Sequence, residues 1–100
     1  MTTSWGQPRS KTVTWYDPMV GAVAGAEMSG LDYLRAMLRG ELPPPPIGGL
    51  MSFQPETVEA GDVVFSCEPD ESVYNPIGVV HGGLVCTLLD SVAGCAVHST

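Results

Sequence analysis

An aspartate stands inside a run that is otherwise almost wholly apolar: VYNPIGVVHGGLVCTLLDSVAG, residues 73–94, with Asp90 nine residues beyond His81. Burying an unpaired carboxylate is costly, and no Lys or Arg occurs anywhere in residues 40–100 to neutralise it by charge. On a helix its polar neighbours are Thr87 and Ser91. A carboxylate deprived of water in such a setting is a good proton acceptor, suited to act as a general base or nucleophile beside an apolar cleft. The alternative is an Asp on the one wet edge of the helix, bonded to water or to a neighbouring loop.

His81-Gly82-Gly83 offers a second chemical part. The first N–H groups of a helix lack intrahelical partners and carry the positive end of its dipole, and two glycines there leave the backbone uncovered. That is the layout of an oxyanion hole, although Gly-Gly at a loop-to-helix junction also occurs for purely steric reasons. His81 can orient a substrate carbonyl or merely cap the loop. Asp90 lies eight residues beyond Gly82, so about 12 Å separates them along one straight helix at about 1.5 Å per residue. That is too far for both to act on one carbonyl. Two copies of the helix running antiparallel about a two-fold axis would bring Gly82 of one chain beside Asp90 of the other, making two composite sites.

Both groups need a helix to place them. From Leu84 to Val97 the chain is apolar on nearly every face, which predicts a helix buried all round, wrapped by a sheet or by other protein. Its small half, Val92-Ala93-Gly94-Cys95-Ala96, permits close backbone approach. Upstream, IGGLMSFQP (47–55) and AGDVVFSCE (60–68) read as two strands paired as an antiparallel hairpin, with ETVE as the turn, and EPDESVYNPIG reads as a loop. Pro43-Pro44-Pro45-Pro46 is a stiff extended spacer. Ser29 with Asp32 three places on, Leu31, Leu34 and Leu38 on one face, and Gly40 as a stop predict an amphipathic helix over about 30–39. Residues 1–28 show too little periodicity to assign and are read as an extension with a short strand or turn at TVTWYDP. The chain therefore divides into an N-terminal extension, 1–42, and the first part of a folded domain, 43–100.

The totals limit the partners. A chain of 100 residues is one domain at most. Eleven acidic against four basic residues give a net charge of −7, which argues against nucleic acid and against an anionic membrane surface. No apolar run approaches the roughly 20 residues of a membrane span, and the first residues lack the hydrophobic stretch of a signal peptide. A cytoplasmic location is therefore expected. The three cysteines, Cys67, Cys86 and Cys95, suit a reducing compartment as small buried hydrophobes, and Cys86 and Cys95 on one helix are too far apart to bridge. His81 and His98 have no ligand partners at recognised spacing, so no metal site is expected.

Asn75-Pro76-x-Gly78-x-x-His81-Gly82-Gly83 followed by Asp90 resembles the signature of hotdog-fold thioesterases of the phenylacetate-pathway (PaaI-like) type, over about residues 30–100, and Leu42 to Ile47 resembles the segment before the first core strand. The resemblance implies an α+β hotdog fold, in which a curved antiparallel sheet wraps a long central helix. It further implies a homodimer or dimer of dimers, and hydrolysis of acyl-CoA without metal or cofactor. On these residues Asp90 would activate water or attack the thioester, and the Gly82 N–H would hold the oxyanion. Asn75 would position the water or the leaving thiolate, and His81 would brace the loop and carbonyl. Gly83 and Thr87 would contact substrate. Relatives continue through three or four more strands, so the chain is expected to be the N-terminal part of a longer protein and to aggregate or fold poorly alone. A non-catalytic acyl-CoA-binding hotdog module and a hotdog dehydratase or hydratase are the alternatives.

Overall fold

A computed structural model describes residues 2–100 and shows a mixed α+β chain: a two-stranded antiparallel sheet flanked by helices, with the longest helix last. Helix α1 spans Pro18–Gly25, α2 Gly30–Leu38 and α3 Pro46–Met51; strand β1 runs Phe53–Glu59 and β2 Asp62–Cys67; α4 is Gly82–His98. Short 3-10 turns occur at Thr2–Trp5 and Glu71–Val73.

Helix α2 follows its sequence signals. The Ser29 hydroxyl accepts from the Asp32 N–H at 3.1 Å, satisfying one of the orphan donors of the first turn. Leu34 then meets Val58 and Val63 in the core, with Met37, Phe65 and Cys95 packed around them. Arg35 ties the helix to β1, its Nη2 donating to Glu59 Oε2 at 2.7 Å and its Nε to the Val58 carbonyl at 3.2 Å. Gly30 is where α2 meets the end of α4: a Cβ there would run into the His98 carbonyl. Beside it the Tyr33 and His98 rings meet edge to face, 6.1 Å between centroids. Although it lies in the segment read as an extension, α2 is an integral part of the core.

The hairpin forms, but not with the expected boundaries. Residues 46–51 are helical, because Pro46 takes the first position of α3, where its missing N–H costs nothing. Ser52 (φ 60) then reverses the chain into β1. The turn is Ala60-Gly61, with Gly61 at φ 75, and ETVE lies inside β1. Its polar look comes from a bulge between Pro55 and Thr57. The bulge shifts the parity, so Phe53, Pro55 and Val58 oppose Cys67, Phe65 and Val63, and one face stays apolar across the break. The N-terminal segment differs as well. TVTWYDP makes no strand; its Asp17 caps α1, accepting from the Met19 N–H at 2.9 Å.

Helix α4 has the expected length but not the expected burial. Only Leu84 is buried on it, while Val85, Leu89 and Val97 are 47%, 61% and 74% exposed. Strand β2 and helix α2 pack against one flank of α4. Cys86 is likewise exposed, and Cys67 and Cys95 are only half-buried, against the expectation of three buried thiols. Burial pushes the Cys95 thiol up. The far end of α4 is pinned by Ser99, which is buried; its hydroxyl accepts from the Gly61 N–H at 2.8 Å and donates to the Ala96 carbonyl at 2.7 Å. Among the described residues no helix is long and apolar enough to cross a membrane.

Candidate functional site

The first half of the site is built by the loop that enters α4. The Asn75 side chain accepts from the Ile77 and Val79 amides at 3.1 and 3.2 Å, and its backbone N–H donates to the Val79 carbonyl at 2.8 Å. Gly78, at φ 83, completes the reversal and donates to the Asn75 carbonyl at 3.0 Å. The pattern Asn-Pro-x-Gly is thus first an Asx-type turn, with the Asn oxygen holding two backbone donors. The Asn75 amide nitrogen makes no hydrogen bond among the described residues and is left to donate. A bridge between Tyr74 and Val80, and a bond from the His81 N–H to the Val73 carbonyl at 2.9 Å, fix the loop's two ends together.

His81 is the N-cap of α4. Its Nδ1 accepts from the Gly83 N–H at 2.7 Å, and Nε2 makes no hydrogen bond among the described residues. The two glycines have different reasons to be there. A Cβ on Gly83 would sit 2.9 Å from His81 Nδ1, so glycine lets the imidazole fold over the helix end. A Cβ on Gly82 would meet nothing within 4 Å. The Gly82 N–H, at the first helical position, has no intrahelical partner and no other acceptor among the described residues. One amide is therefore consumed by the cap and the one before it left open. Thr87 closes this end: its hydroxyl donates to the Gly83 carbonyl at 2.9 Å and keeps its lone pairs free to accept. His81, Gly82, Gly83 and Thr87, with Asn75 in the loop that leads to them, form one end of the site.

Asp90 belongs to the other half. Two turns further along α4, it is exposed and lies on the wall of an apolar cleft of about 490 Å³ between α4, α2 and the sheet. Ser91 and Cys95 share that wall, Tyr33 and Met37 of α2 face it, and Phe53 and Phe65 come from the strands. The cleft does not include Gly82 or His81. Within a single chain Asp90 is not buried as expected but stays exposed at the edge of the cleft. Asp90 and Gly82 remain on separate stretches of one helix, as the rise of about 1.5 Å per residue demands. The α2 wall of the cleft was missed in the sequence, although the Leu31-Leu34-Leu38 stripe already required something for α2 to cover.

The basic residues elsewhere are paired locally, while most of the acidic ones are not. Arg9 and Lys11 of the N-terminal segment pair with Glu71 and Asp70, and Arg39 pairs with Glu41. Asp70 is held at about 2, below its ordinary 3.8, by the Ser72 hydroxyl, then by Lys11 and the Ser72 amide. Among the described residues no three His, Cys, Asp or Glu side chains converge as a metal site would require. Compared with known proteins, the chain matches no family model, no curated protein and no solved structure.

Proposed function

We propose that this protein hydrolyses acyl-CoA thioesters as a cytoplasmic hotdog-type enzyme, with each site shared between the two chains of a homodimer. One observation carries the reading: the helix that leaves the Gly82 amide unbonded and unobstructed also sets Asp90 against an apolar cleft. A thioester needs both parts, a donor for the oxygen that becomes negative and a base for the attacking water. In the pairing, a second α4 lies antiparallel against the exposed face that carries Gly82, Cys86 and Asp90 at four-residue spacing, so that Gly82 of one chain meets Asp90 of the other. The partner helix also withdraws Asp90 from water.

In the reaction the Asp90 carboxylate takes a proton from water as the water oxygen bonds to the thioester carbon. The carbonyl electron pair moves to oxygen, facing the Gly82 N–H. Collapse of this intermediate breaks the carbon–sulfur bond, and the proton held by Asp90 passes to the leaving thiolate, giving a free acid and CoA. The Asn75 amide and the His81 Nε2–H are donors for the water and for the acyl oxygen, while Gly83 and Thr87 border the substrate. The test is release of free thiol from a panel of acyl-CoAs by the complete chain. Thiol release that depends on Asp90 supports the reading; binding of acyl-CoA with no thiol release favours a non-catalytic binding module.

A further inference from the structure

We propose that α2 is the selecting wall of the cleft: the cleft takes an uncharged, apolar acyl group, refuses one that ends in a carboxylate, and has its length limit set by Met37. The presence of a thioester at Asp90 rests on the hydrolase reading above; the preference of the cleft does not, and can be read by binding alone. At about 490 Å³ the cleft falls in the range of small-ligand pockets and suits one acyl group far better than a whole CoA. Phe53 and Phe65 line it from the strands, with Tyr33 and Met37 opposite and Asp90 on its wall.

Charge decides what enters. The chain has four Lys and Arg residues, and all four are engaged, Arg9 with Glu71, Lys11 with Asp70, Arg35 with Glu59 and Arg39 with Glu41. None lines the cleft. A carboxylate at the end of an acyl chain would therefore be desolvated with no Lys or Arg to pair with, only the His98 imidazole and the neutral Gln54 and Ser91 side chains on the wall, and near the like charge of Asp90. A methyl-terminated chain of equal length meets a mostly apolar and aromatic lining, on which Gln54, Ser91 and His98 are the polar side chains besides Asp90. Met37 is half-buried on the α2 wall, and an unbranched thioether side chain fills or yields space readily. Changing its bulk changes the room for methylenes, each worth about 10–200-fold in a fitted pocket.

Two measurements on the complete chain test this. The first compares thiol release from acyl-CoAs of four to sixteen carbons, and from octanoyl-CoA against its ω-carboxylated counterpart, for wild type, Met37→Trp, Met37→Ala and the conservative Met37→Leu. The second follows displacement of the neutral fluorescent probe N-phenyl-1-naphthylamine by the matching N-acetylcysteamine thioesters. The expected result is a preference of at least about tenfold for the neutral eight-carbon group. Met37→Trp should move the length optimum to shorter chains and Met37→Ala to longer ones, with Met37→Leu close to wild type. Hydrolysis with an unmoved optimum in both altered variants, or equal handling of the ω-carboxylate, overturns the inference and leaves the hydrolase reading standing. Selective, Met37-dependent probe displacement without thiol release keeps the cleft assignment and removes the hydrolase. A probe that neither binds nor is displaced overturns the cleft assignment.

Discussion

Replacing Gly82 by proline separates the fold from the proposed chemistry, because it deletes one hydrogen atom of interest at a position where helices accept proline. Gly82 is the first residue of α4, and its amide has no partner to lose. The ring needs space, and a Cβ at Gly82 meets nothing within 4 Å. A proline also constrains the residue before it to the extended region, and His81 is already there, at φ −65 and ψ 135. The His81–Gly83 cap lies one residue further on and is untouched. Removing glycine's freedom from the unfolded chain should add about 0.4–1 kcal/mol, so the melting temperature should hold or rise by a few degrees.

Activity should move the other way. Loss of one oxyanion donor costs about 10²–10³ in kcat, or roughly 2.7–4 kcal/mol of transition-state stabilisation. Gly82→Ala, which keeps the N–H, is the control and separates the effect of side-chain bulk from loss of the donor. The assay is thiol release from an acyl-CoA, read beside thermal unfolding by circular dichroism. Full turnover in a well-folded Gly82→Pro variant would show that this amide does not hold the developing charge, and the oxyanion role would be withdrawn.

Asp90→Asn should lower kcat by about 10²–10⁴ as loss of a general base, while unfolding in urea shifts by no more than about 0.5 kcal/mol, as expected of an exposed side chain. Ser99→Ala removes the acceptor of the Gly61 N–H and should cost about 0.5–1.5 kcal/mol in the same urea measurement. Asp70 contributes stability that is present above its ordinary value of 3.8 and is lost as the pH falls toward about 2. Asp70→Asn should therefore flatten the acid limb of stability between about pH 4 and 2, read from urea midpoints at successive pH values.

What could be read from the residues depended on whether a local signal was opposed by a distant one. Helix α2 was legible because Ser29, the leucine stripe and Gly40 agree and nothing overrides them. The hairpin was legible as a pair but not in register: the alternation of Phe53, Pro55 and Val58 breaks at the bulge, and two solvent-facing acids in β1 imitate a turn. Helix α1 carries the signature Asp17-Pro18 at its start, but its small residues give no periodicity to extend that signal. The extent of α4 was readable; its covering was not, since an apolar sequence states that a face wants burial and not what buries it. For the same reason the entry end of the site, fixed by contacts between residues close in sequence, could be located. The cleft at Asp90 could not, because its opposite wall comes from residues more than fifty positions earlier.

The separation of Gly82 and Asp90 along one rigid helix makes the shared-site proposal testable by mixing. A chain bearing Gly82→Pro and a chain bearing Asp90→Asn are each expected to be inactive, since every site in either homodimer lacks one part. In a dimer made of one of each, the site joining Asp90 of the first chain to Gly82 of the second is intact, and the other site carries both lesions. Random exchange makes about half of the dimers mixed, each with one working site of two, so about one quarter of wild-type activity should return. Native mass spectrometry of differently tagged chains verifies that exchange has occurred. If mixed dimers form and activity does not return, the two groups do not meet across the interface. Helix geometry already keeps them apart within one chain, so that result would end the case for a site that uses both.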